Sequence, residues 1–125
     1  MKKLLITALF ALTLVGCASL RPIAPMTYPV PAESSELVKV KKGILAGAVE
    51  RGWTYKELGG NKVELTLLNR KHKVVVDVAY NTKDYTVTYK DSENMKYDKE
   101  KNAIHGKYAN WVRNLNASIQ KNLIK

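Results

Sequence analysis

The chain has 125 residues, 46% hydrophobic and 26% charged, the balance of one folded domain rather than of a disordered tail. Lys and Arg number 21 against 11 Asp and Glu, a formal charge of +10, and the single Cys excludes an internal disulfide. Two His with no Cys or clustered carboxylates nearby make no zinc pattern. With no nucleophile elbow and no phosphate-cradling glycine motif either, no cofactor is expected.

The N-terminus carries an address. Met1-Lys2-Lys3 is a positive start, and Leu4 to Val15 is apolar apart from Thr7 and Thr13. A run of ~12 residues is too short for a bilayer core, which needs ~20 helical residues, but suits the apolar region of a signal peptide. Leu14-Val15-Gly16-Cys17 then resembles the lipobox of bacterial lipoproteins. The resemblance implies diacylglycerol on the Cys17 sulfur, cleavage after Gly16 and acylation of the new amino group. Several acyl chains make a stable anchor where one alone is marginal. Ala18, where Asp would retain the protein at the inner membrane, resembles the pattern of lipoproteins sent to the outer membrane. These expectations divide the chain into a signal peptide (1–16), a lipidated Cys with a Pro-rich tether (17–33) and one α+β domain (34–125).

Without Lys2 and Lys3 the formal charge falls from +10 to +8. Such a charge usually points to nucleic acid, which an envelope address argues against. Lipid headgroups, lipopolysaccharide phosphates and acidic polymers are the better-matched partners, beside the plain alternative of a solvated basic surface. In residues 18–33, Pro22, Pro25, Pro29 and Pro31 remove backbone donors and favour polyproline II. Such a tether would reach up to roughly 50 Å.

A first helix is expected from Ser34 or Ser35, either of which can N-cap, to a stop at Gly52. Leu37, Val40, Ile44 and Ala48 recur at helical spacing, widened by Leu45 and Val49. Lys41 falls within that arc, so its stem snorkels or the helix starts late. Gly43 and Gly47 fall on the far side with Glu36, Lys39 and Glu50. Four strands follow, around Trp53–Leu58, Val63–Leu67, Val74–Tyr80 and Tyr85–Tyr89, with turns at Gly59-Gly60, Arg70-Lys71 and 81–84. Their apolar faces match if Leu67 lies opposite Val74, Leu65 opposite Val76 and Val78 opposite Val87. A last helix gathers Tyr108, Trp111, Val112, Leu115, Ile119 and Leu123 in one arc. The expected fold is a four-stranded antiparallel meander with both helices on one face, α-β-β-β-β-α.

Two constellations follow from that register. On the open face Glu64 lies opposite Asp77, and like charges so placed destabilise a sheet unless neutralised; Lys56 and Lys62 are the expected neutralisers. A hard cation there is the weaker alternative, because Ca²⁺ takes 6–8 oxygens. The other constellation is basic and aromatic. Arg70, Lys71, His72 and Lys73 crowd one end of the sheet, and Lys96, Lys99, Lys101 and Lys107 surround the segment that carries Asn94, Met95, Tyr97, Ile104 and His105. The spacing of Tyr89, Ser92, Asn94, Met95, Tyr97, Ile104-His105, Tyr108 and Trp111 is similar to that of short proteobacterial lipoproteins of unassigned role, a resemblance that implies no site. The structural account of the same residues is a turn at Asp91, Ser92 and Asn94, with His105 bonded to backbone; the functional one is a shallow ligand or partner groove at Arg70, Lys71, His72, Lys73, Asn94, Tyr97 and His105. The favoured role is a lipid-anchored, non-enzymatic binding module of the envelope. The alternatives are an inhibitor of a cell-wall hydrolase and an enzyme using Glu64 and Asp77.

Overall fold

The computed structural model describes residues 20–125; the signal-like run and Cys17 lie outside the described residues. In chain order the elements are β1 (Leu20–Pro22), β2 (Met26–Pro29), a 3-10 turn (Ala32–Ser34), α1 (Leu37–Glu50), β3 (Trp53–Gly59), β4 (Lys62–Asn69), β5 (His72–Tyr80), β6 (Asp84–Glu93), β7 (Ala103–His105) and α2 (Lys107–Leu123). The fold is α+β.

Strands β3 to β6 run as a meander in the expected register: Leu67 faces Val74, Leu65 faces Val76 and Val78 faces Val87. The four-stranded sheet is nevertheless incomplete as an expectation. Its order is β2-β6-β5-β4-β3, a five-stranded antiparallel sheet, and β1 pairs with β7 in a separate two-stranded one. Both additions include chain expected to be tether. Met26 and Tyr28 face Val87 and Tyr85, while Thr27 bonds Thr86 across the pair at 2.8 Å. Proline is tolerated on an edge strand, where a missing N–H breaks no inner ladder. The prolines that favour an extended tether therefore fit an edge strand equally well, and Met26 and Tyr28 supply the apolar face that docks it.

The inner face of the sheet and both helices share one core. Val63, Leu65, Leu67, Val74, Val76, Val78, Tyr85 and Val87 meet Val40, Ile44 and Ala48 of α1 and Tyr108, Val112, Leu115, Ile119 and Leu123 of α2. The α1 face differs from expectation. Gly43 and Gly47 are buried, whereas Leu37 is 41% and Val49 58% exposed. The apolar stripe is thus rotated towards the glycines, because α2 lies against them. A methyl added at Gly47 would sit 2.6 Å from the Ile119 backbone N and 2.7 Å from its Cα; one at Gly43 would meet the Leu123 side chain, Cδ2 at 2.5 Å. Lys41 reaches out of the arc to Glu57 at 2.6 Å.

The helix start also differs. Glu36 occupies the N-cap with no side-chain capping bond. The two serines have other work: Ser34, buried, donates to the Leu123 carbonyl, and Ser35 donates to the Thr82 carbonyl at 3.0 Å. Ser34 thereby satisfies a carbonyl that the C-terminal end of α2 leaves without a helical partner.

Gly47→Ala should lower stability by about 1–3 kcal/mol through overpacking, outweighing the ~1 kcal/mol that Ala gains in helix propensity. Gly43→Ala meets the Leu123 side chain, Cδ2 at 2.5 Å and Cγ at 2.9 Å, with its backbone Cα only at 3.5 Å, so it should cost less than Gly47→Ala. Equal urea midpoints for the two variants would contradict this packing. Ser34→Ala should cost about 1–2 kcal/mol in the same assay, the cost of leaving a buried acceptor unpaired.

Candidate functional site

The basic end of the sheet is assembled by the β4–β5 turn. Asn69 pairs with His72, leaving Arg70-Lys71 as a two-residue turn with Arg70 at φ 59°. A left-handed Arg is uncommon and costs about 1 kcal/mol or more, so the surroundings must hold it. Asn94 does much of the holding. Its Nδ2 donates to the Lys71 carbonyl at 2.7 Å, and its own carbonyl lies 2.7 Å from His72 Nδ1. Asn94 itself sits at φ 58°, a conformation its short polar side chain tolerates. Arg70, Lys71, His72 and Asn94 line an open depression of ≈ 440 Å³.

The two His of the chain meet here. His105 closes β7, and its ring centroid is 6.4 Å from that of His72, which is also 6.2 Å from Trp111. The Lys107 N–H donates to His105 Nδ1 at 3.1 Å. Burial first, then the charges of Lys107, Lys96 and His72, push the His105 pKa below its ordinary value. The bonds set the tautomers. A carbonyl can only accept, so His72 Nδ1 carries a proton; His105 Nδ1 accepts, so its proton is on Nε2.

Two of the expected binding residues lie elsewhere. Lys73 alternates away from His72 onto the open face and pairs with Glu93 at 3.6 Å. Tyr97 stacks on Tyr89 at 4.7 Å, and Tyr89 meets Tyr108 edge-on at 5.8 Å, an aromatic group that packs the 94–102 loop against α2. Sequence reasoning also overlooked two contributors. Trp111 reads as core but is only half buried beside His72. Arg21, assigned to a tether, lies with its Cγ 3.7 Å from where a Gly106 methyl would stand, over the start of α2. The positive charge of Arg21 was legible; its position depends on the β1–β7 pairing.

On the open face, Glu64 does lie opposite Asp77. The neutralising group is Lys90, not Lys62: its Nζ is 2.7 Å from Glu64 Oε1 and 3.3 Å from Asp77 Oδ1. Lys56 faces Glu64 across β3–β4 and contributes at longer range. Lys90 can do this because the β5–β6 register slips at Val75/Val76, where Val75 faces Asp91 and Val76 faces Tyr89, so Lys90 is the bulged residue. An ammonium thus stands where a cation would bridge the carboxylates. Among the described residues no group of three or more His, Cys, Asp or Glu is placed to hold a metal ion. The hydrogen bond from Lys90 holds the Glu64 carboxyl below its ordinary value against some burial, aided by the charges of Lys90, Lys56 and Lys73. A carboxylate so depressed is a poor proton donor near neutral pH, which argues against Glu64 as a general acid.

No family model, curated protein or solved structure matches the chain.

A depressed carboxylate contributes stability that is present above its unfolded pKa and lost as pH falls through its folded pKa. Lys90→Met should therefore raise the Glu64 pKa and weaken the acid-side dependence of stability that Glu64 supplies. Carboxyl-detected NMR titration reads this directly, and an unmoved Glu64 curve would contradict the pairing.

Proposed function

We propose that the chain is a lipid-anchored, non-enzymatic binding module of the bacterial envelope, acting on an anionic envelope component through the basic end of its sheet. The anchor rests on Leu14-Val15-Gly16-Cys17 behind a positive, apolar leader, and the outer membrane is the destination that Ala18 favours. The observation that carries the binding reading is the convergence of Arg70, Lys71, His72 and His105, with Arg21, Lys96 and Lys107 close by, from segments far apart in sequence. Like charges repel, so gathering them on one surface has a cost that a bound anion removes. The open face offers nothing comparable, since its carboxylates are already paired by Lys90.

Two results are expected. In cells, Cys17→Ser should abolish incorporation of radiolabelled palmitate and release the protein from the membrane fraction. In vitro, binding to lipopolysaccharide or anionic phospholipid should weaken as salt rises past the point where the Debye length falls below ~8 Å, and Arg70→Glu with Lys71→Glu should remove most of it. Binding insensitive to salt would count against the electrostatic reading.

A further inference from the structure

We infer that the basic end is a membrane-docking face, and that its ligand is the layer of phosphate-bearing headgroups in the very leaflet that holds Cys17. The inference rests on the lipid anchor proposed above and names the anionic component. Its origin is a strand pairing. Leu20 is the register partner of His105, and Arg21 that of Ile104. Cys17 stands three positions before Leu20; at ~3.3–3.6 Å per residue plus the ~5 Å between paired strands, an acylated sulfur could lie no farther than roughly 20 Å from the His105 strand. A domain on a 50 Å tether could present any face to the bilayer. A domain whose first described residue is already locked into a strand beside the His pair cannot.

The chemistry of the confined face suits phosphate oxygens. It offers donors: the guanidinium groups of Arg21 and Arg70, the ammonium groups of Lys71, Lys96 and Lys107, and the His105 Nε2–H that the Lys107–Nδ1 bond fixes. Two nearby acids have other partners: Glu93 pairs with Lys73 at 3.6 Å on the open face, and Asp98 Oδ1 accepts the Lys101 N–H at 3.1 Å. A transition metal suits it less well. His105 Nδ1 is occupied and its Nε2 protonated, so ligation by both rings would require breaking the Lys107 bond. Trp111, half buried between His72 and solvent, is the residue type that settles at headgroup depth. The far end of the sheet stands away from the strand that would carry the anchor. The nine residues of β5 separate the Arg70-Lys71 turn from the Gly60-Asn61 and 81–84 turns by about 27 Å, beyond the ~8–10 Å reach of screened surface charge.

Amine-reactive footprinting of the full, lipidated chain tests the orientation. The protein is reconstituted into phosphatidylcholine vesicles with and without phosphatidylglycerol, and lysine labelling rates are read by mass spectrometry. Lys71, Lys96 and Lys107 should be labelled several-fold more slowly than Lys62 and Lys83 at the far end, with protection growing as phosphatidylglycerol is added. Arg21→Glu, whose far-end rates and melting temperature control for folding, should restore most of the labelling at Lys71. Equal rates at both ends in every vesicle, from protein that carries palmitate and still binds lipopolysaccharide in a salt-sensitive way, would overturn the docking face and leave the proposed function standing. Absence of palmitate on Cys17 would instead defeat the anchor on which both rest.

Discussion

The close approach of α1 and α2 is the constraint on which the rest of the structure depends. Gly43 and Gly47 leave a groove deep enough for the Ile119 backbone and the Leu123 side chain to lie against the axis of α1. That approach turns α1 so that Val40, Ile44 and Ala48 reach the sheet, and turns α2 so that Tyr108, Val112, Leu115 and Ile119 do the same. Side interactions set the ends of the contact. Ser34 closes the last turn of α2, Arg51 Nε donates to the buried Ser118 hydroxyl at 2.8 Å, and Lys121 reaches Glu50 at 3.0 Å. Of these, the packing term dominates, because a backbone cannot retreat from a methyl group whereas an exposed ion pair contributes little.

The same contact sets where α2 begins, and therefore where the candidate site lies. With α2 held along α1, its first turn arrives at the end of the sheet where β4 turns into β5. Lys107 can then bond His105, and Trp111 can stand beside His72. The loop between β6 and β7 is fixed from the other side, by buried Met95 and by the Tyr97–Tyr89–Tyr108 stack. Asn94 links both sets of contacts by bonding the turn that carries Arg70 and Lys71. The basic residues are thus mounted on braced backbone rather than on a free loop, which lowers the ordering entropy that a ligand would have to offset.

The N-terminal segment changes the functional picture most. As a tether, residues 18–33 would hold the domain at a distance; as β1 and β2, Leu20–Pro22 and Met26–Pro29 are part of it. Their attachment uses ordinary interactions: cross-strand pairs on β6, the Ile23–Asn102 bonds at 2.9 and 3.0 Å, and Gln120 Nε2 donating to the Pro29 carbonyl at 2.8 Å. Each is modest, but together they hold residues 20–29 against the domain.

Most of what short-range period governs could be read from the chain alone. The alternation of Val74, Val76 and Val78, the matching Leu65 and Leu67, and the arc from Tyr108 to Leu123 located the meander, its register and the last helix. These signals survive because the side chains that carry them are large and their burial follows directly from spacing. The pairing of Glu64 with Asp77 was legible for the same reason. Tertiary structure alone decided the rest. Glycine has no side chain to register in a hydrophobic pattern; Gly43 and Gly47 read as a thin face open to a backbone, and only α2 lying against it showed that face to be the buried one. Proline is compatible with a tether and with an edge strand, and only the partner strand chooses. A one-residue bulge is invisible to alternation until the neighbouring strand is in place, so the role of Lys90 was hidden while that of its carboxylates was not. The meeting of His72, Asn94 and His105, with Arg21 beside them, depends on where four separate segments are brought together by packing, and no local periodicity encodes that distance.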